Sequence, residues 1–389
     1  MTVASPLQAV RLPAQHSPRQ MCTRCVMDKS ATEITFDADG VCSFCRHYET
    51  RAANELFVNR PDGAERLARL VEQIKASGRG KDYDCVIGLS GGVDSSYVAY
   101  VLRQHGIRPL AIHLDNGWNS ELAVNNVERL VKALKIDLMT YVLDWREFRD
   151  LQLSFIKASV VNLEIPTDHA IVAILYRMSV KHGLPFIISG SNIVTEAIMP
   201  ESWGYDNKDW RHIRGLHRLF GTVPLRTFPH LSLLDWARHT FINRVRFIPI
   251  LNYVPYSRAG AMAELAEHCG WRNYGGKHHE SLFTKIFQAY VLPLKYGVDK
   301  RRAHYATMIN SGQMTRAEAL AELEQPAYPP EELREELPYF VRKLGITNAE
   351  WEAILATPPK NYTAYPNNAT WFKRLNGVVK IAKRMATNT

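Results

Sequence analysis

Residues 83–96 read YDCVIGLSGGVDSS, and this stretch decides the fold. Tyr83–Leu89 is a short, nearly continuous apolar run, as expected of a strand buried on both faces. It ends in Ser90-Gly91-Gly92, and from Ser95 to His105 the apolar positions Val98, Val101 and Leu102 recur at helical spacing. Strand, glycine loop, helix is the arrangement that binds an anion. The glycines let backbone N–H groups approach closely, and the helix N-terminus adds a favourable dipole. Ser90, Ser95 and Ser96 offer hydroxyl donors, and Asp94 can hold a magnesium-bound water or brace the loop. No Gly-Lys-Ser/Thr ending follows, so the loop is not a Walker loop that grips a terminal phosphate.

Outward from this loop, strands and helices alternate. Pro109–Asp115 reads as a strand, Ser120–Leu134 as a helix and Leu138–Leu143 as a third strand. Thr167–Lys181 reads as a helix capped by Thr167 or Asp168, and Pro185–Ser189 as a strand running into Gly190-Ser191-Asn192. The pattern predicts an α/β fold, a doubly wound parallel sheet with ligands at the carboxyl ends of its strands. Three such ends, 90–96, 115–118 and 190–196, are rich in small, polar or acidic residues, and the active site is expected there. Glu196 stands at that edge and is preferred over Asp168 as a functional acid; Asp168-His169 could also reach the site. The expected division is a loose arm at 1–20, a zinc-ribbon module at 21–48, a helical linker at 49–80, the sheet domain at 81–202 and a mostly helical substrate- or partner-binding region at 203–389. The last helix, near Trp371–Met385, is basic and amphipathic, which suits a surface helix docked on its own domain or one lying on an anionic surface.

Cys22-x2-Cys25, sixteen residues, then Cys42-x2-Cys45 has zinc-ribbon spacing. Four thiolates around tetrahedral zinc leave no position for water, so such a site is structural. Redox thiols and an iron–sulfur cluster are the competing readings. Cys85, inside the apolar strand, reads as a buried small hydrophobe.

The 389 residues, 46% hydrophobic and 22% charged, exclude a disordered chain. No apolar run reaches the roughly 18 residues of a membrane-spanning helix, and residues 1–20 do not read as a secretory signal. A cytoplasmic location is the expectation. Six cysteines, four of them clustered, do not make a secreted disulfide scaffold. The net charge of +9 suits anionic ligands without choosing among them.

At SGGVDSS the chain resembles the pyrophosphate (PP) loop of the N-type ATP pyrophosphatases, which include asparagine, GMP and NAD synthetases and tRNA thiolases. CTRCVMD at 22–28, HLDNGW at 113–118, IPTDHA at 165–170, GSNIVTE at 190–196, YGGKHHES at 274–281 and YGVDKRRAH at 296–304 together resemble the N-acetyl sugar amidotransferases of surface-polysaccharide synthesis, the WbpG and PseA type. The resemblance runs from the cysteines to about Leu320. It implies an enzyme using ATP and Mg2+, with structural Zn2+, in the PP-loop fold. Ser90, Gly91, Gly92, Asp94, Ser95 and Ser96 would cradle pyrophosphate. Leu114, Asp115 and Asn116, with Gly190 and Ser191, would lie near the nucleotide.

The implied reaction adenylates the acetamido oxygen of a nucleotide-activated N-acetyl sugar and replaces it with ammonia, releasing AMP and pyrophosphate. Charge developing on phosphate must be neutralised, for which Lys277, Lys285, Lys300, Arg301 and Arg302 are candidates. Asp94, Ser95, Lys277 and Glu196 form the expected catalytic set; Asn192, Lys277, His278, Lys300, Arg301 and Arg302 the expected sugar-binding set. His278 and His279 could act in acid–base steps. Thr2 stands where one glutaminase class needs its cysteine, and neither Cys85 nor Cys269 sits on a nucleophile elbow. Ammonia is therefore expected from a separate glutaminase subunit through a barrel-type subunit, as the resemblance implies. The competing reading is a PP-loop tRNA sulfur-transferase. No RNA-binding module is apparent, and no nucleic acid is expected as a partner.

Overall fold

A computed structural model describes residues 20–205, 207–273, 280–369 and 371. The loose arm before residue 20, Lys277, His278 and His279, and all but the start of the basic C-terminal helix lie outside the described residues.

The described residues begin with the cysteine module, which runs into α1 (Ser43–Glu55), the helix that carries Cys45; α2 (Gly63–Ser77) follows after a short 3-10 turn. The sheet elements follow: β1 (Cys85–Gly88), α3 (Val93–Gln104), β2 (Pro109–Asp115), α4 (Glu121–Leu134), β3 (Asp137–Val142), α5 (Trp145–Ala158), α6 (Ile165–Lys181) and β4 (Phe186–Ser189). Next come α7 (Ile193–Glu196), α8 (Trp210–Phe220), α9 (Leu233–Ala237), β5 (Arg246–Pro249) and α10 (Arg258–Cys269). The C-terminal region is helical: α11 (Leu282–Ile286), a π-helical run Phe287–Tyr296, α12 (Arg301–Asn310), α13 (Arg316–Glu324), α14 (Pro330–Leu344) and α15 (Asn348–Ala356).

All pairings in the sheet are parallel, in the order β3-β2-β1-β4-β5. β1 sits in the middle because Cys85, Val86 and Ile87 are apolar on both faces and fully buried. Val98, Leu102, Val127, Leu130 and Leu265 cover one face of the sheet, so α3, α4 and α10 lie there. Ala173, Ile174 and Leu175 of α6 cover the other. The chain winds outward from β1 through β2 to β3, then returns to β4 on the opposite side. That reversal leaves a crevice at the carboxyl ends of β1 and β4, where this class of sheet binds ligands. The predicted doubly wound sheet is present.

Three details differ from the sequence reading. The sheet does not end at residue 202: β5 pairs with β4 through Phe186↔Arg246 and Ile188↔Ile248, and α10 packs beneath α3. β5 is an edge strand of four residues, with Arg246 and Phe247 exposed, and so carries almost no alternation to read. α6 begins at Ile165 with Pro166 in its first turn; Thr167 and Asp168 lie inside that turn rather than capping it. The segment 49–80 is two helices, α2 burying Leu70, Val71 and Ile74 against the sheet domain. Among the described residues no helix is long and apolar enough to cross a membrane.

Candidate active site

The loop after β1 is held by its own serines. Ser95 Oγ accepts from the Ser90 N–H at 3.2 Å and donates to the Gly92 carbonyl at 3.1 Å, while Ser90 Oγ accepts from the Gly92 N–H at 3.2 Å. Gly91 has φ +84°, and a Cβ there would stand 2.4 Å from the Ala123 carbonyl oxygen, so this position requires glycine. Trp271 Nε1 donates to the Gly91 carbonyl at 2.9 Å and fixes the turn from behind. The loop after β4 crosses the N-terminus of α3 closely: a Cβ on Gly190 would lie 3.2 Å from the backbone of Asp94 and Ser95.

These strand ends line a cavity of about 530 Å³. Ser90, Ser95, Leu114, Asn116, Gly190 and Ser191 all face it. His113 lies beside them, with Nδ1–H donating to the Leu89 carbonyl at 2.8 Å and Nε2 accepting from Asn119 at 3.1 Å. The other expected residues are placed differently. Ser96 is fully buried, and Asp115 turns its Oδ1 to the Gly117 N–H at 2.9 Å. Asn192 is spent on backbone: Oδ1 caps α7 at Thr195 N (2.8 Å) and Nδ2 donates to the Gly190 carbonyl (3.1 Å). It is a loop brace rather than a sugar ligand. Asp94 accepts a hydrogen bond from Tyr256 and faces a second cavity, of about 500 Å³. Burial and the Asp94 carboxylate push the Tyr256 hydroxyl well above its ordinary pKa, so it stays a donor.

The second cavity is basic, with Arg258, Lys285, Lys300 and Arg301 in its wall against Asp94 and Glu322. Thr284, Gln288 and Lys300 line both it and the first cavity. Arg301 is held by Asp299 at 2.7 Å and by the carbonyls of Glu322 and Gln325. Arg302 is not in this wall. It donates to the Val26 carbonyl at 2.8 Å and pairs with Asp28 at 3.3 Å, so it clasps the cysteine module; its position beside Arg301 on α12 turns it the other way.

Asp168, ranked below Glu196 from sequence, lines the first cavity, whereas Glu196 is not among that cavity's lining residues. Burial first, then the neighbouring Glu164, push the Asp168 carboxyl up to about 7, and Lys300 pulls the other way. Glu164 is held by Gln288 at 2.9 Å and by Lys300 at 3.3 Å. His169, by contrast, is structural: Nε2 accepts from the Leu231 N–H at 3.0 Å and Nδ1–H donates to the Asn207 carbonyl at 2.7 Å. Burial lowers its pKa to about 4 and keeps it neutral.

In the N-terminal module the four ligand atoms of Cys22, Cys25, Cys42 and Cys45 lie within 4.8 Å of one another, all buried. Sulfur–sulfur separations of 3.7–4.0 Å are far beyond a disulfide bond. They fit a tetrahedron with metal–sulfur bonds of about 2.3 Å, whose edge is about 3.8 Å. Backbone N–H groups of Arg24, Cys25, Met27 and Cys42 point at the sulfurs at 3.2–3.4 Å, which favours thiolates.

Residues 280–378 match the family model described as LPS biosynthesis protein WbpG-like, C-terminal domain. That segment, about a quarter of the chain, is similar to the WbpG-like C-terminal domain. YGVDKRRAH lies inside it, and the match bears out the resemblance read there. The matched segment supplies Thr284, Gln288 and Lys300 to the first cavity and Lys285 and Arg301 to the basic one. The chain is also similar to two solved structures. The NMN synthetase of Francisella tularensis is 16% identical over 67% of this chain and 91% of that one, with a TM-score of 0.31. The NH3-dependent NAD synthetase of Campylobacter jejuni, in complex with the nitrate ion, is 18% identical over 53% of this chain and 84% of that one, with a TM-score of 0.28. No curated protein matches the chain.

The cysteine module joins the WbpG-like domain to the rest. Arg316 reaches the carbonyls of Cys25 (3.1 Å) and Cys22 (3.2 Å), and Asn310 Nδ2 donates to Cys45 Sγ at 3.3 Å. On the other side, Trp203 Nε1 donates to the Ser30 carbonyl at 3.2 Å and the Ser202 N–H to Glu33 at 3.1 Å.

Proposed function

We propose that the chain is an ATP-dependent, AMP-forming amidotransferase of lipopolysaccharide or O-antigen synthesis that converts the acetamido group of a nucleotide-activated N-acetyl sugar into an acetamidino group. The observation that carries this reading is the shared wall. The serine–glycine loop opens on a cavity that meets a basic cavity of the WbpG-like domain at Thr284, Gln288 and Lys300.

An amide oxygen is a poor leaving group, so the oxygen must be activated. Ser90, Ser95 and the N–H groups at the start of α3 would hold the outer phosphates, and Leu114, Asn116, Gly190 and Ser191 the remainder of ATP. Asp94, braced by Tyr256, would hold magnesium, which neutralises charge developing on the phosphates. Lys300, already beside Glu164, lies where the two cavities meet and would contact the transferring phosphoryl group. Arg258 and Arg301 suit the diphosphate of a nucleotide sugar, whereas Lys285 is held by Glu332 at 2.6 Å and Glu336 at 2.8 Å. The cysteine module would hold structural zinc. Cys85 lies at the centre of the sheet and Cys269 is buried, so among the described residues neither serves as an exposed sulfur carrier or glutaminase nucleophile. This supports amide chemistry over tRNA thiolation, with ammonia from a separate glutaminase through a barrel-type subunit.

The test is to incubate the chain with ATP, magnesium, ammonium and a panel of UDP- and CMP-linked N-acetyl sugars. The expected result is AMP, pyrophosphate and a sugar lighter by about one mass unit, oxygen having been exchanged for NH. ADP as product contradicts the reading.

A further inference from the structure

A third cavity, of about 530 Å³, opens beside the other two and is used by none of the steps above. Lys300 lines all three cavities, and Glu164 and Asp168 line both this one and the nucleotide-side cavity. Its charge is opposite to that of the basic cavity. Glu164, Asp168, Glu201 and Asp209 face it, and Lys300 is its one cation among the described residues. Such a wall repels a nucleotide sugar and concentrates a small cation. The aromatic pair Tyr205 and Tyr362, stacked at 4.5 Å, forms part of its wall.

The two shared carboxylates are not equivalent. Glu164 is fixed by Gln288 and Lys300. Asp168, one helical turn further along α6, accepts no hydrogen bond from any described residue and stands at the junction of the two cavities. An unheld carboxylate at the inner end of an acidic passage is placed to receive a proton from what the passage delivers.

We propose that the nitrogen donor enters through this acidic cavity as ammonium and that Asp168 takes its proton at the junction. The proposal rests on the amidotransferase reading. Ammonium gives one proton to the Asp168 carboxylate, leaving ammonia with a free electron pair. That pair forms the C–N bond to the adenylated amide carbon. The amide nitrogen loses its proton to solvent when the oxygen is adenylated; the C–O bond then breaks with its electrons leaving on AMP, and the three remaining ammonia protons stay on the amidinium product. The Asp168 proton passes to solvent through the same cavity. Because burial and Glu164 hold the carboxyl near 7 against the pull of Lys300, with Glu201 and Asp209 also facing the cavity, Asp168 can both accept and release a proton near neutral pH.

The test is Asp168→Asn in the full chain, with ammonium chloride and the UDP- and CMP-linked sugar panel. Sugar-dependent exchange of labelled pyrophosphate into ATP reads the first half-reaction, and amidino-sugar formation reads the second. The expected result is that exchange persists while ammonium-dependent kcat falls by about a hundredfold or more. The wild-type rise of kcat through pH 7 should also be lost. Hydroxylamine, largely unprotonated at neutral pH, should restore turnover to the variant. An Asn variant that keeps its ammonium-dependent kcat and pH profile overturns the proposal, as does one that loses exchange and hydroxylamine turnover together while its melting temperature is intact. A wild-type chain without sugar-dependent exchange overturns the amidotransferase reading itself, and the proposal with it.

Discussion

Under the proposed function, Asp94 is the residue on which the chemistry of the loop after β1 turns. It lies in the first turn of α3, faces the basic cavity and is braced by Tyr256. Asp94→Asn removes a charge without changing shape, so turnover should fall by tens- to hundredfold, a loss of about 1.5–3 kcal/mol in a charge-assisted contact, while the melting temperature holds. Tyr256→Phe leaves the carboxylate in place and should cost less; equal losses in both variants would make Asp94 a structural partner of the tyrosine. Asp168 carries a stability prediction of the opposite kind. Its folded pKa, raised to about 7, exceeds the unfolded value of 3.8, so the residue costs nothing below about pH 4. It destabilises the fold increasingly as pH rises towards 7, by an amount on the order of 2–4 kcal/mol. Asp168→Asn should therefore raise the melting temperature at pH 8 and leave it unchanged near pH 4. A variant less stable at pH 8 would contradict this placement. Ser90, Gly91 and Ser95 were legible in the sequence because a strand, two glycines and a helix start are contiguous. Asp168 was not, because its environment is made by Glu164 and by Lys300, which meets Glu164 from 136 residues away.

At the scale of elements, α6 and α8 each bury a neutral histidine. His169 on α6 and His212 on α8 both have pKa values lowered to about 4 by burial. A histidine whose folded pKa is depressed contributes stability in full above its unfolded value near 6.5 and loses it as pH falls towards 4. Each is worth on the order of 3 kcal/mol across that window. The protein should lose stability steeply between pH 6.5 and 4, and His169→Gln should flatten that limb; an unchanged limb would place the acid sensitivity elsewhere. The same helices show why pattern reading went only so far. α3 and α4 present their apolar residues to one face of the sheet and read cleanly. β5 did not, because an exposed edge strand of four residues has no buried alternation to read. Arg302 was expected in the sugar-binding set with Lys300 and Arg301, yet its place on the helix sends it to Asp28 and the cysteine module.

On the scale of the molecule, the cysteine module acts as a bracket. Arg302, Arg316 and Asn310 of the WbpG-like domain hold it from one side, and Ser202 and Trp203 from the other. Cys42→Ser, or removal of metal by a chelator, should lower the melting temperature and loosen α12, and with it Lys300 and Arg301 at the cavity walls. A variant that keeps its melting temperature while losing activity would make the cluster catalytic instead. The spacing of the cysteines made the module legible; its role as a bracket depends on contacts with residues nearly 300 positions away, such as Arg316 with Cys22. Three cavities meet at Lys300, one at the strand ends, one basic and one acidic; under the proposed function they would give ATP, an anionic sugar and a cationic nitrogen donor separate approaches to one point. The most direct measurement is the product pair formed from ATP when an N-acetyl nucleotide sugar and ammonium are both present. AMP and pyrophosphate, formed in step with an amidino sugar and lost in Asp94→Asn, are the predicted result. ADP, or AMP formed without any change in the sugar across the panel, would contradict the account.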